Sequence, residues 1–230
     1  MFGLDEWIAG VSDEGSIAIV LLVATLLGLR HATDPDHLAA VSTLVVSGRE
    51  RATRAAARLG AAWGLGHAVT LVAFGVPILL AERYLPDLVQ RGAETTVAAL
   101  IAFLAVRLLV RWRHGAFAAH GEGGVHRHPA RTSAGAFGIG LVHGMGGSAG
   151  VGVLLLAAIP SRTLALVALV VLAVFTAVSM TVVTTGFGAA LSARRVSGAV
   201  ATAAPALALS SLAFGLWYAA AAWSLAPYPF

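Results

Sequence analysis

Apolar runs long enough to cross a bilayer recur from one end of this chain to the other, and no soluble fold could bury them all. A hydrocarbon core of roughly 30 Å takes about 20 apolar residues per helical crossing. The composition agrees: 58% of residues are hydrophobic and 11% charged, with a mean hydropathy of +0.85, whereas soluble domains run near about a quarter charged. Backbone polar groups at membrane depth must be satisfied within the segment, which selects helices. The chain therefore reads as an all-α membrane protein of about six transmembrane helices, near residues 17–46, 59–80, 95–110, 134–159, 164–191 and 200–223. The first is too long for one simple crossing. Residues 1–230 read as a single transmembrane domain, with a first three-helix half over 1–111, a histidine-containing loop over 112–132 and a second half over 133–230.

Charge orients this domain. The net charge is +4 and the isoelectric point about 10.6, but the arginines flank spans and do not interleave with aromatics, so they read as topology determinants rather than a nucleic-acid surface. Arg49, Arg51, Arg54 and Arg58 follow span one; Arg111, Arg113, Arg127 and Arg131 follow span three; Arg194 and Arg195 follow span five. The intervening connections hold Arg83 and Arg91, then Arg162. The basic connections share one side, the cytoplasmic one, which leaves both termini outside a cytoplasmic membrane. The acidic start lacks a basic leader region, so the first span is expected to be retained. The absence of cysteine excludes thiolate sites, and the absence of lysine excludes a Walker A phosphate loop on this chain.

Against this apolar background, "GLRHATDPDHLAAV" (Gly28 to Val41) concentrates polarity. Proline lacks an N–H and disfavours helix for the residue before it. Asp34 is a good N-cap and Pro35 a good first helical residue. The pattern predicts a helix that ends near His31 and another that starts at Pro35, bringing His31, Asp34, Asp36 and His37 to one break. Ionisable groups at membrane depth are expensive and usually mark ion pathways. Imidazole and carboxylate without sulfur suit borderline divalent metals: nickel, cobalt or zinc. Arg30 either pairs with Asp34 or Asp36, or snorkels.

Two further histidines lie within spans: His67 in "WGLGHAVT" and His143 in "GLVHGMGGSAG". Each is either a metal ligand or a hydrogen-bonded packing residue. The glycines around His143 have a packing explanation, since small residues let membrane helices approach closely. Ser148, Ser179 and Thr181 could supply oxygen ligands, though hydrogen bonds between helices are the favoured reading. "GLRHATDPDHLAAVSTL" from Gly28 aligns weakly with "GLVHGMGGSAGVGVLLL" from Gly140, placing His31 on His143. Three spans per half would invert the second copy, an architecture that transporters use. The loop holding His114, His120, His126 and His128 reads either as a loose metal-holding tract or as a flexible polar connector.

"RHATDPDHLAAV" resembles the signature of the nickel/cobalt transporter family: arginine and histidine, then an aspartate–histidine pair, here Asp36 and His37. "LGHAVT", Leu65 to Thr70, resembles that family's second motif. The resemblance implies a metal permease whose first motif forms the selectivity site. Two features depart from it. Long family members have eight spans, and they carry an acidic motif in the second half where this chain has "HGMGGSAG". The likeness is to the short, urease-associated branch.

The expected function is a secondary transporter, not an enzyme, that takes up Ni²⁺, with Co²⁺ as a second possible substrate, and needs no cofactor. His31, Asp36 and His37 would strip water from the ion, and His67 and His143 would hand it on. Imidazoles ligate only when neutral, so transport should fall as pH drops toward about 6.5. Divalent-metal efflux on the same fold is the nearest alternative, and transport of an anion or amino acid a more distant one. An intramembrane hydrolase is the alternative from another class, suggested by "GGSAG". Expected partners are the metal ion, the bilayer and a receiving metallochaperone or urease maturation system; homo-oligomerisation is left open.

Overall fold

The computed structural model describes residues 3–46, 53–81, 86–114, 132–144, 146, 148–192 and 194–227. Eight helices account for most of them: α1 (Gly3–His31), α2 (Pro35–Val46), α3 (Thr53–Ala81), α4 (Asp87–Arg113), α5 (Ser133–His143), α6 (Ser148–Ala157), α7 (Arg162–Ser192) and α8 (Arg194–Ala222). No strand occurs among the described residues. Residues 115–131, which hold His120, His126 and His128, lie outside the described residues; His114 follows the end of α4.

Four helices are long and apolar enough to cross a membrane unaided: α3, α4, α7 and α8. A fifth crossing is formed if the bent pair Ile17–His31 and Pro35–Val41 is counted as one, the two halves meeting at 42°. The expected span at 134–159 is no continuous helix. It consists of α5 and α6, with 11 and 10 residues, about 16 and 15 Å of helix, each near half a bilayer. The expected third span, 95–110, underestimates α4, which begins at Asp87. Asp87, Gln90, Arg91 and Glu94 lower hydropathy there; Asp87 and Gln90 are exposed, while buried Glu94 accepts a hydrogen bond from Gln90 (3.1 Å).

The first break is where the proline demands it. Thr33 and Asp34 close a turn by donating their backbone N–H groups to the Arg30 and His31 carbonyls (2.9 and 3.1 Å), and the Asp34 carbonyl accepts from Leu38 in the new helix (3.0 Å). The second break has no proline. Helix α5 is capped at its start by Thr132, whose hydroxyl accepts from the Gly135 N–H (2.9 Å), and at its end by Gly144.

Glycines set the spacing of the bundle. A Cβ at Gly140 would overlap the Trp63 carbonyl oxygen, and one at Gly66 the Phe137 carbonyl oxygen. Helices α3 and α5 therefore touch backbone to backbone, as small residues allow in membranes. Gly60 and Gly64 do the same for α3 against Thr184 and Ala177 of α7. Thr70 fastens the α3–α5 contact by donating to the Leu141 carbonyl (2.9 Å), and Ser179 ties α7 to α1 by donating to the Gly28 carbonyl (3.0 Å). Thr181 donates to Ala177 within its own helix (2.7 Å). The outer faces are apolar: Ile19, Leu22 and Leu26 on α1, and Val170, Val174, Val178 and Val182 on α7, are all more than half exposed or close to it. An exterior of that kind is the surface a bilayer covers. The chain is a multi-pass membrane protein.

Gly140→Ala should lower stability by about 1–3 kcal/mol, as overpacking of close contacts does, read as a lower thermal midpoint of the protein in detergent. Gly138→Ala, where an added Cβ meets nothing within 4 Å, should leave the midpoint in place.

Candidate metal centre

Both helix breaks deliver histidine to the same interior point. His31 is the last residue of α1 and His143 the last of α5; Asp36 and His37 open the first turn of α2; His67 comes from the middle of α3. The Gly66–Phe137 and Gly140–Trp63 contacts press α5 onto α3 at this level, which brings His143 within 6.1 Å of His67, ring centroid to centroid. All five side chains are buried, none more than 6% exposed.

His37 is the hub. Its ring lies 4.4 Å from that of His31, 4.4 Å from His143 and 5.1 Å from His67. Asp36 bridges two helices: Oδ1 lies 3.0 Å from His37 Nδ1 and Oδ2 3.1 Å from His143 Nε2. The Nε2 atoms of His31 and His67 are 2.9 Å apart. His31 Nδ1 faces Asp34 Oδ2 at 3.5 Å, and Asp34 Oδ1 pairs with Arg30 at 3.2 Å. Of the three fates open to Arg30, the observed one is pairing with Asp34, on a side chain that is 67% exposed.

One tautomer assignment satisfies every contact. Asp36 accepts N–H from His37 Nδ1 and His143 Nε2; His31 turns its Nδ1–H toward Asp34 and accepts at Nε2 from His67. This leaves bare lone pairs on His37 Nε2, His67 Nδ1 and His143 Nδ1. Those three nitrogens are buried with no hydrogen-bond partner among the described residues. Buried polar atoms are nearly always satisfied, so unpaired ones call for an explanation. Unpaired imidazole lone pairs within a buried cluster are ready donors for a borderline divalent ion. Asp36 and Asp34 meanwhile orient the rings of His37, His143 and His31.

The potential ligand atoms fall into two triads, each within 4.8 Å: His31, His37 and His67, and Asp36, His37 and His143. Five of the six residues singled out in the sequence are thus brought together. Asp34 is set apart, outside both triads, in contact with Arg30 and His31. Trp63 escaped the sequence reading. It is buried, with its ring 5.7 Å from that of His37 and 5.8 Å from that of His143, and forms one wall of the cluster. Its place one turn before His67 on the same helix face was the available signal.

Comparison with known proteins bears on the same segment. Residues 17–128 match the model of the NicO family, described as high-affinity nickel-transport protein. A urease accessory protein, UreH, of Bacillus sp. (strain TB-90) is 29% identical over 143 residues, which cover 60% of this chain and 62% of that relative. The chain thus spans about three fifths of the length of the curated relative it matches. No solved structure matches the chain. Residues 17–128, which include His31, Asp36, His37 and His67, are similar to the NicO high-affinity nickel-transport proteins.

Proposed function

We propose that this protein is a secondary permease that carries Ni²⁺, and Co²⁺ by the same ligands, into the cell across the cytoplasmic membrane. The observation that carries this reading is the cluster of four imidazoles and one carboxylate, buried where two membrane helices break, with three ring nitrogens unpaired. Nitrogen-rich, sulfur-free ligation favours nickel and cobalt over magnesium and calcium, which take oxygen ligands. The NicO match and the likeness to a urease accessory protein support nickel. The ion is substrate here, not a resident cofactor.

His31, His37, His67, Asp36 and His143 replace the ion's water as it enters, and Asp34 orients His31 from outside the site. Uptake draws on the membrane potential, since a dication moving inward gains about 4–5 kcal/mol per 100 mV. With the basic connections cytoplasmic, both termini face outside, and the loop with His114, His120, His126 and His128 faces the cell interior, where it would pass the ion to a metallochaperone or urease maturation system. A hydrolytic role has little to support it. The Ser148 pattern needs a strand–turn–helix setting, and here Ser148 opens α6 soon after α5 ends.

Cells that express the protein should accumulate nickel, and to a lesser degree cobalt, above cells that lack it, measured as total cellular metal; a fall in metal content would establish efflux instead. His37→Ala should cut nickel uptake by about ten-fold or more, as loss of a central ligand does, at unchanged membrane abundance by immunoblot. Proteoliposomes given an inside-negative potassium diffusion potential should load nickel faster than those without one.

A further inference from the structure

The cluster is geometrically two overlapping sites. With metal–ligand bonds of about 2.0–2.1 Å, two ligand atoms on one ion stand no more than about 4.2 Å apart. The potential ligands divide into His31, His37 and His67 on one side and Asp36, His37 and His143 on the other. His67 and His143 mark the two ends, 6.1 Å apart by ring centroid, and His37 lies between them at 5.1 and 4.4 Å. Ring nitrogens are unpaired on His37 and His67 of the first triad and on His37 and His143 of the second.

We propose that one divalent ion alternates between these two positions, an all-imidazole one (His31, His37, His67) and a mixed one (Asp36, His37, His143), with His37 bound in both. The proposal rests on the reading of the cluster as a transport site and adds what the ion does inside it. The all-imidazole position is the deeper well for nickel, because three imidazoles suit it better than two and a carboxylate. Transfer is stepwise: His31 and His67 are exchanged for Asp36 and His143 while His37 stays attached, so the ion crosses the middle of the protein without returning to water. The two breaks supply the means. His31 closes α1 and His143 closes α5, and these rest on different long helices, α1 on α7 at Gly28 and α5 on α3 at Gly140. A shift of one broken helix relative to the other tightens one triad and loosens the other.

The two positions separate binding from movement. The full chain, purified in lipid–detergent micelles, is titrated with radioactive Ni²⁺ by equilibrium dialysis, and the same variants are assayed for nickel uptake in proteoliposomes. The wild type should bind one ion per chain. His67→Gln should weaken binding by about ten-fold or more. His143→Gln should retain the ion but lose uptake by about ten-fold or more, and His143→Asp, which restores a ligand, should recover part of it. X-ray absorption of nickel on the wild-type chain should report three imidazoles. Equal loss of binding in His67→Gln and His143→Gln, or four imidazoles around the wild-type ion, would establish a single five-residue site and overturn the proposal. The absorption measurement does so even if a variant fails to fold. A wild-type chain that binds no nickel would instead overturn the transport reading itself.

Discussion

Asp36 holds the interior of this protein together. Its carboxylate receives N–H groups from His37, its own neighbour on α2, and from His143 at the end of α5, 107 residues away in sequence. That bridge is the polar contact between the helix break in the first part of the chain and the break in the second. It lies at zero exposure, where a carboxylate without partners would be strongly unfavourable. Both partners are therefore required, and both must present the same kind of donor. A bundle otherwise assembled from Ala, Gly, Val and Leu has few ways to fix one arrangement, because apolar contacts among membrane helices are nearly as good with lipid. One doubly bonded carboxylate fixes the register of α2 against α5, and the glycine contacts of α5 with α3 then fix His67 against both.

The two breaks are alike in a way that bears on how the site arose from the chain. Helix α1 ends in Gly-Leu-Arg-His and α5 in Gly-Leu-Val-His, and both final histidines enter the cluster. Gly28, three residues before His31, packs against the backbone of α7; Gly140, three residues before His143, packs against the backbone of α3. In each case the glycine removes the side chain that would hold the two helices apart, and the histidine one turn later projects into the space beyond. The same local solution appears twice: close approach first, ligand next, helix end immediately after. Carbonyls left open at each helix end make the location favourable for a cation.

Much of this was legible before any coordinates. Proline at 35 after aspartate at 34 specified the first break to the residue, because ring chemistry and missing N–H act locally. The histidines stood out because ionisable groups are rare in apolar runs. What failed to show was set by tertiary contact. The break after His143 is made by a glycine-rich stretch, and glycine in a membrane helix serves packing and breaking equally well; in fact Gly140 and Gly144 pack against α3 while the helix ends beside them. Sequence placed Asp34 with Asp36 as equals. The structure divides them, because Asp36 points inward from the first turn of α2 whereas Asp34, two residues earlier in the turn, meets the exposed Arg30. Trp63, one turn before His67, gave a signal that is easily passed over, because an aromatic residue in a span is most often simply packed in the core. The grouping of His67 with His31 depends on α1 and α3 both packing against α7 and has no signature along the chain.

The composition of the cluster also fits passage better than storage. One carboxylate among four imidazoles leaves a bound dication half compensated in charge, with the remaining hold on it coming from nitrogen lone pairs. A second carboxylate in direct contact would neutralise the ion and deepen the well, and in surroundings of low dielectric that added attraction is large. Such a site would retain its ion. Asp34, also buried, pairs with Arg30, which leaves Asp36 as the one carboxylate within the two triads. Selectivity then rests on ligand type, since magnesium and calcium find one carboxylate where they need several oxygens, and nickel finds imidazole. Weak charge compensation together with strong ligand preference is what the proposed ion pathway needs.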